Sequence, residues 1–397
     1  MKKIRFSRIL FYSTIVELFL MGSGQDFHII GPLTLRMLNY LLAIVVSIGI
    51  MQNKNLPNKI SGILFAFIVL TIVSSLIGLL NNADPENVFE DIKPLSYFLM
   101  LPFFYFMLSS EEKVHSLCKV MTYCGMFMAV LYIGYIIITD FIIRLDHSIV
   151  YAFVESENIM FRGNGNAFFY KGFIYLPLAA IALLMEKKYI WFVVLAISIF
   201  FTYTRGLYLL LFIGFIFVFL SARNVNIFKM LMGFFVIYLF YYLADSFGLL
   251  DFSESFMESH VEGDADRLIM IRQVMEKVNF MSAFIGHGFG VGIEIRPIRM
   301  EISFLEIFHK QGIVGILFWG MVLLQIVMSG NKVRKDKRNL ASFFVITSFM
   351  IYMQSFFNPY INNPIGMGWI LLSYASCYRL SHEKNFCNSS YLQRRIL

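Results

Sequence analysis

Long apolar runs, each bounded by a few polar residues, dominate the chain. Runs long enough for membrane-crossing helices of roughly 20 residues fall at about 9–23, 29–51, 60–80, 94–110, 116–139, 168–185, 189–204, 207–222, 227–247, 303–328, 341–357 and 364–380. The pattern predicts an all-α, polytopic transmembrane helical bundle of about twelve spans. One long interval lacks such a run, and it divides the chain into a helical part over 1–247, a long loop over 248–302 and a second helical part over 303–397. Inside the loop, the stretch 266–284 places Leu268, Ile271, Met275 and Val278 at the spacing of one helical face. A short helix lying on the bundle or at the membrane surface is therefore expected.

Composition strengthens this reading. Of 397 residues, 58% are hydrophobic and only 15% charged, against about 25% charged in an ordinary soluble domain, and mean hydropathy is +0.69. Little chain is left for a separate soluble domain. The net charge of +7 would suit nucleic acid, but no concentrated basic domain accompanies it, so nucleic acid is not an expected partner. Topology accounts for the charge instead. With both termini cytoplasmic, the basic residues alternate correctly between loops: Lys2, Lys3, Arg5 and Arg8; Lys54 and Lys59; Lys113 and Lys119; Lys187 and Lys188; Arg223 and Lys229; Lys332 to Arg338; and Arg379 to Arg395. The opposite side carries the acidic Asp84–Asp91 stretch and the long loop. Glu17 interrupts the first run, which lacks a small-residue cleavage site, so no cleavable signal peptide is expected. Cys118, Cys124, Cys377 and Cys387 form no CxxC pair and have no histidine at ligand spacing. The absence of related halves argues against a transporter.

Few ionisable residues stand near the outer surface, and each invites explanation. Arg205, in a turn between two short runs, presents a planar fork of donors suited to phosphate, although snorkelling to lipid phosphate would also hold it there. Arg267 and Arg272 lie on the loop helix. Their five-residue offset sets them about 140° apart, so they either flank a ligand or pair with neighbouring carboxylates. His287 sits in Gly286-His287-Gly288-Phe289-Gly290, a spacing that serves a structural turn as readily as a ligand cradle. Glu306, His309 and Lys310 share an amphipathic segment. Glu301 stands at its outer edge, where a partly desolvated carboxylate can serve as a general base or as the partner of an arginine.

These residues, taken in order, resemble the family of O-antigen polymerases and ligases, bacterial membrane glycosyltransferases with one long periplasmic loop. Thr204-Arg205-Gly206 is similar to the family's Ser/Thr-Arg-Gly at the end of a span. Asp266-Arg267-Leu268 followed by the glycine turn is similar to its loop arginine and Gly-x-Gly-x-Gly. Gly312-Ile313-Val314-Gly315 is similar to its Gly-apolar-apolar-Gly. Ligases of the family carry a histidine eleven residues before that first glycine, where this chain has Glu301, which favours a polymerase.

The resemblance implies an inner-membrane enzyme with its active site facing the periplasm. It would pass a growing glycan from undecaprenyl diphosphate to the non-reducing end of a new lipid-linked oligosaccharide, so donor and acceptor are both lipid-linked. Glu301 is then the expected catalytic base, and Arg205, Arg267 and Arg272 are the expected diphosphate contacts. His287 and His309 are candidate substrate contacts. With no Asp-x-Asp in a nucleotide-sugar context, neither a cofactor nor a metal is expected. Membrane lipids, a chain-length regulator and a flippase are the implied partners. An O-antigen ligase and a polysaccharide-unit flippase or transporter are the alternatives.

Overall fold

The computed structural model describes residues 2–22, 28–31, 33–143, 159–162, 167–221 and 254–382. These residues are mostly helical, with two short antiparallel strand pairs, His28–Ile30 with Leu33–Thr34 and Ile159–Arg162 with Ala167–Tyr170. The first half supplies α1 (Lys2–Leu20), α2 (Leu35–Met51), α3 (Asn58–Leu80), α4 (Pro85–Leu95), α5 (Leu101–Met107), α6 (Glu111–Ile136), α7 (Tyr175–Met185), α8 (Tyr189–Phe201) and α9 (Arg205–Ser221). The remainder supplies α10 (Glu254–Lys277), α11 (Phe280–Ile285), α12 (Ser303–Asn331), α13 (Arg338–Gln354) and α14 (Pro364–His382).

Every apolar run read from the sequence overlaps one of these helices except 227–247, which lies outside the described residues. Among the described residues, three helices are both long and apolar enough to cross a membrane: Asn58–Leu80, Glu111–Thr139 and Ser303–Asn331. The run at 94–110 is not one helix. Pro94 and Pro102 lack the N–H that would continue the ladder, and the segment becomes α4, a 3-10 turn over Ser96–Met100 and the short α5.

The core forms around α14, whose residues from Ile365 to Tyr378 are all buried. Trp369 is its hub. Its ring meets Phe19, Tyr175, Phe343 and Phe344, and its indole N–H donates to the Thr347 hydroxyl at 3.0 Å, which satisfies the one polar atom it buries. Glu17 also finds its explanation here. Arg36 of α2 donates to it at 2.8 Å and to the Gly22 carbonyl at 2.7 Å, so the charge inside α1 is paired rather than exposed to apolar surroundings.

The two ends of the bundle differ in chemistry. At one end Lys337 pairs with Glu111 and Arg379 donates to the Leu108 carbonyl at 3.1 Å, which gathers basic loops. At the other, the segments around 81–91, 286–302 and 355–363 converge.

The loop helices differ from expectation in two ways. The stretch 266–284 is divided, because Asn279 caps α11 by accepting from Ser282 N at 2.9 Å while the Ser282 hydroxyl accepts from Asn279 N. The face Leu268, Ile271 and Met275 is exposed. The buried stripe is instead Met270 and Val274, packed with Ile293, Met300, Ile302 and Leu305 in a second, small apolar cluster. Both stripes are apolar in sequence. The inward one is covered by the 293–305 segment, and Arg267, one turn ahead of it, lies 3.8 Å from Glu301 of that segment.

Candidate functional site

The geometry of the loop end follows from a break in α12. Gly312 has φ +63° and ψ −160°, outside helical geometry, and a Cβ there would lie 2.3 Å from the Phe284 carbonyl carbon, so only glycine fits. The break separates a short helix, 303–311, from the long apolar one and frees its last carbonyls. The glycine turn takes them up: His287 N–H donates to the His309 carbonyl at 2.8 Å and Gly288 N–H to the Lys310 carbonyl at 3.0 Å. Gly288 itself, at φ +87°, presses on α3, where a Cβ would stand 2.0 Å from Gly78 N. The Gly-x-Gly-x-Gly segment is thus a structural clasp between α3 and α12.

Under this clasp lies a buried charge network. Lys310 Nζ stands 2.7 Å from Asp91 Oδ1 and 2.7 Å from Glu306 Oε1, and also donates to the Ile298 carbonyl. Gly290 N–H donates to the other oxygen of Asp91 at 2.7 Å. Asn362 donates to the other oxygen of Glu306 and accepts from the Ser303 hydroxyl at 2.9 Å. Both Lys310 and Asp91 side chains are only 2% exposed. Such ions persist in low dielectric only when paired and hydrogen-bonded. Asp91 is placed by α4, whose Val88, Asp91 and Leu95 form one buried face and whose start is capped by Asp84 accepting from Glu86 N.

A cavity opens beside the network, with about 180 Å³ open to water centres. Lys171, Phe289, Arg299, Gln311, Asn362 and Asn363 line it together with the network itself. Arg299 at its rim donates to the Glu90 carbonyl at 2.8 Å and to the Glu90 carboxylate at 3.2 Å.

Of the residues singled out from sequence, the structure brings Glu301 together with Arg267 and His287 together with His309, and it does not bring Arg272 or Arg205 into contact with either pair. Glu301 is held between two arginines: Arg296 donates to one oxygen, and Arg267 Nε lies 3.8 Å from the other. All three side chains are between buried and fully open, Glu301 at 37%. Arg272, about 140° round the helix from Arg267 as its offset requires, is 80% exposed and pairs with Glu276 at 2.8 Å, away from Glu301. Arg205 begins α9 and is exposed. Its neighbour Gly206 packs so tightly on Gln354 that a Cβ would lie 2.4 Å from the amide nitrogen, which sets the Arg205 turn against the end of α13, just before the 355–363 wall.

His287 and His309 are brought together, with ring centroids 4.7 Å apart. His309 is 1% exposed, and neither of its ring nitrogens nor Nε2 of His287 has a hydrogen-bond partner. Burial, with Lys277 adding like charge, lowers the His287 pKa below 6.5. The sign is then fixed. Below about pH 6.5 the unfolded chain binds a proton that the folded chain resists, so stability falls as pH drops. The melting temperature of the purified protein should decrease between pH 7.5 and 5.5, and His287→Asn should flatten that decrease. An equally steep pH dependence in the variant would assign it elsewhere.

Sequence reasoning missed Asp91, Lys310 and Asn362 as members of the site. Lys310 carried a signal: a lysine four residues after Glu306 within an apolar stretch is a buried pair as readily as a solvated one.

No family model matches the chain. Among curated proteins, an O-antigen polymerase of Shigella flexneri is 24% identical over 361 residues, which cover 89% of this chain and 90% of that protein. The similarity therefore runs over most of both chains.

Proposed function

We propose that this chain is a membrane-embedded glycosyltransferase that polymerises lipid-linked oligosaccharide units in O-antigen biosynthesis. It transfers the growing glycan from undecaprenyl diphosphate to the non-reducing end of a new lipid-linked unit at the periplasmic face of the inner membrane. The near full-length similarity to an O-antigen polymerase carries this reading, and the contact between Arg267 and Glu301 supports it, because it joins a candidate anion site to a candidate base.

In the proposed step, the acceptor hydroxyl oxygen attacks the anomeric carbon. The bond from that carbon to the diphosphate oxygen breaks, its electron pair leaves with the diphosphate, and the hydroxyl proton passes to Glu301. A single displacement of this kind inverts the anomeric centre. Arginines stabilise the charge that develops on the leaving diphosphate where water is scarce. Arg267 and Arg296 hold Glu301 before the donor arrives. The diphosphate carries more charge than one carboxylate, so it competes for those guanidinium groups and releases Glu301 to act as base. Arg205 adds a contact from the α9 turn. Arg272, exposed and paired with Glu276, is left with a minor part.

A deletion strain tests the assignment. Loss of this chain should leave single repeat units on the lipid A core, and the wild-type copy should restore polymer. Full polymer retained on the lipid carrier would instead identify a ligase, and the absence of any surface repeat would identify a flippase.

A further inference from the structure

The cavity beside the Asp91–Lys310–Glu306 network has no part in the arginine and glutamate chemistry above, yet it is walled by several segments that mix apolar and charged or amide side chains. The space open to water centres, about 180 Å³, far exceeds the roughly 10–15 Å³ that one water requires on that measure. It therefore accommodates a ligand of the size of a sugar ring.

Its hydrogen-bonding capacity is incompletely used. Asp91 accepts from Lys310 and Gly290, and Glu306 from Lys310 and Asn362. A carboxylate offers about four lone-pair sites, so each retains capacity. Gln311, 4% exposed, lines the cavity; its Oε1 is turned against Gly315 and has no hydrogen-bond partner, so this amide is poorly satisfied where it stands. Phe289 adds an apolar surface to the lining, giving the mixture of one apolar wall and a few placed polar groups that small-ligand sites share.

Charge decides which part of a lipid-linked glycan fits. Lys171, Arg299 and Lys310 are balanced by Asp91, Glu306 and the Glu90 carboxylate bonded to Arg299. A diphosphate would meet two buried carboxylates with no surplus of positive charge, whereas hydroxyl groups donate to those same oxygens. The sugar next to a donor's diphosphate is thereby disfavoured, and the terminal sugar of an acceptor, which bears no phosphate, is suited. Arg299 and Met300 line the cavity and are followed directly by Glu301, so the cavity and the proposed base share one short segment.

We propose that this cavity is the acceptor subsite, a saccharide pocket that takes the non-reducing terminal sugar of the incoming unit through the Gln311, Asn362, Asp91 and Glu306 side chains that line it. The assignment of the sugar to the acceptor rests on the polymerase reading; the saccharide pocket itself does not.

The test uses the purified full-length chain and, as probe, the free repeat-unit oligosaccharide released by mild acid from the lipid-linked precursor of the producing cells. This probe has sugars but no diphosphate. Wild type should bind it in calorimetry. Gln311→Met, which keeps side-chain length and removes the amide, should weaken binding roughly three- to tenfold, the loss of one hydrogen bond. Lys171→Met, on a different segment, should weaken it as well, while Arg334→Ala, an exposed change in the basic loop after α12, should bind as wild type does. No binding by wild type, or equal binding by both pocket variants, overturns the proposal. The two readings fail separately: weakened binding in the variants without polymerisation from lipid-linked units by wild type leaves the pocket and removes the polymerase, and polymerisation with unaltered probe binding does the reverse.

Discussion

Lys310→Met should remove most of the folded protein. The substitution leaves Asp91 and Glu306 facing each other in a buried site with only a backbone N–H and the Asn362 amide as donors. Removing one partner of a buried pair costs about 3–5 kcal/mol, because the remaining charge is uncompensated, and here two carboxylates are stranded. That is comparable to the whole stability of many domains, about 5–15 kcal/mol. The purified yield and the melting temperature in detergent should both drop sharply. The triple variant Lys310→Met, Asp91→Asn, Glu306→Gln should recover much of the loss, since amides accept the Gly290 and Asn362 hydrogen bonds without carrying charge. A Lys310→Met protein that accumulates and melts like wild type would show that the network contributes little to the fold.

Glu301→Gln should behave in the opposite way, with normal folding and failed chemistry. Glu301 is partly exposed, and ion pairs at such positions are worth only about 0–1 kcal/mol; glutamine still accepts from Arg296. Expression and melting temperature should therefore stay near wild type. Removing a general base typically costs about 10²–10⁴-fold in rate, so polymerisation of lipid-linked units by the purified variant should fall by that factor across the pH range. Near-normal turnover in Glu301→Gln, with loss in a parallel His309→Gln protein, would move the base to the buried histidine pair.

Hydropathy carried the fold class because apolar runs and basic loops are one-dimensional signals, and the helices at 58–80, 111–136 and 303–331 coincide with the runs that announce them. Ordered motifs carried the resemblance to O-antigen polymerases for the same reason. Angular information was harder to read. The 140° separation of Arg267 and Arg272 was legible from their spacing, and the exposure of Arg272 follows it. Which of two apolar stripes on α10 turns inward was not, because the inward one is covered by Ile293, Met300, Ile302 and Leu305, about twenty to thirty residues further on. The Asp91–Lys310 pair was hidden more deeply. Asp91 looked like one acid in a solvated loop, and nothing local shows that its partner arrives in α12. The proline break that turns 94–110 into two helices was available in Pro94 and Pro102, but a hydropathy run averages over such residues.

The 219 positions between Asp91 and Lys310 also have a meaning in time. A ribosome adding about 5–20 residues per second makes the carboxylate roughly ten to forty seconds before the ammonium group that neutralises it, and Asn362 follows later still. During that interval α4 has no cation to accompany Asp91 into an apolar setting, so the helix must wait at the water boundary while the helices after it are laid down. The loop end of this bundle is therefore closed last, by the segment that begins at Ser303, and a chain released before that point has all its early helices but nothing to seal them.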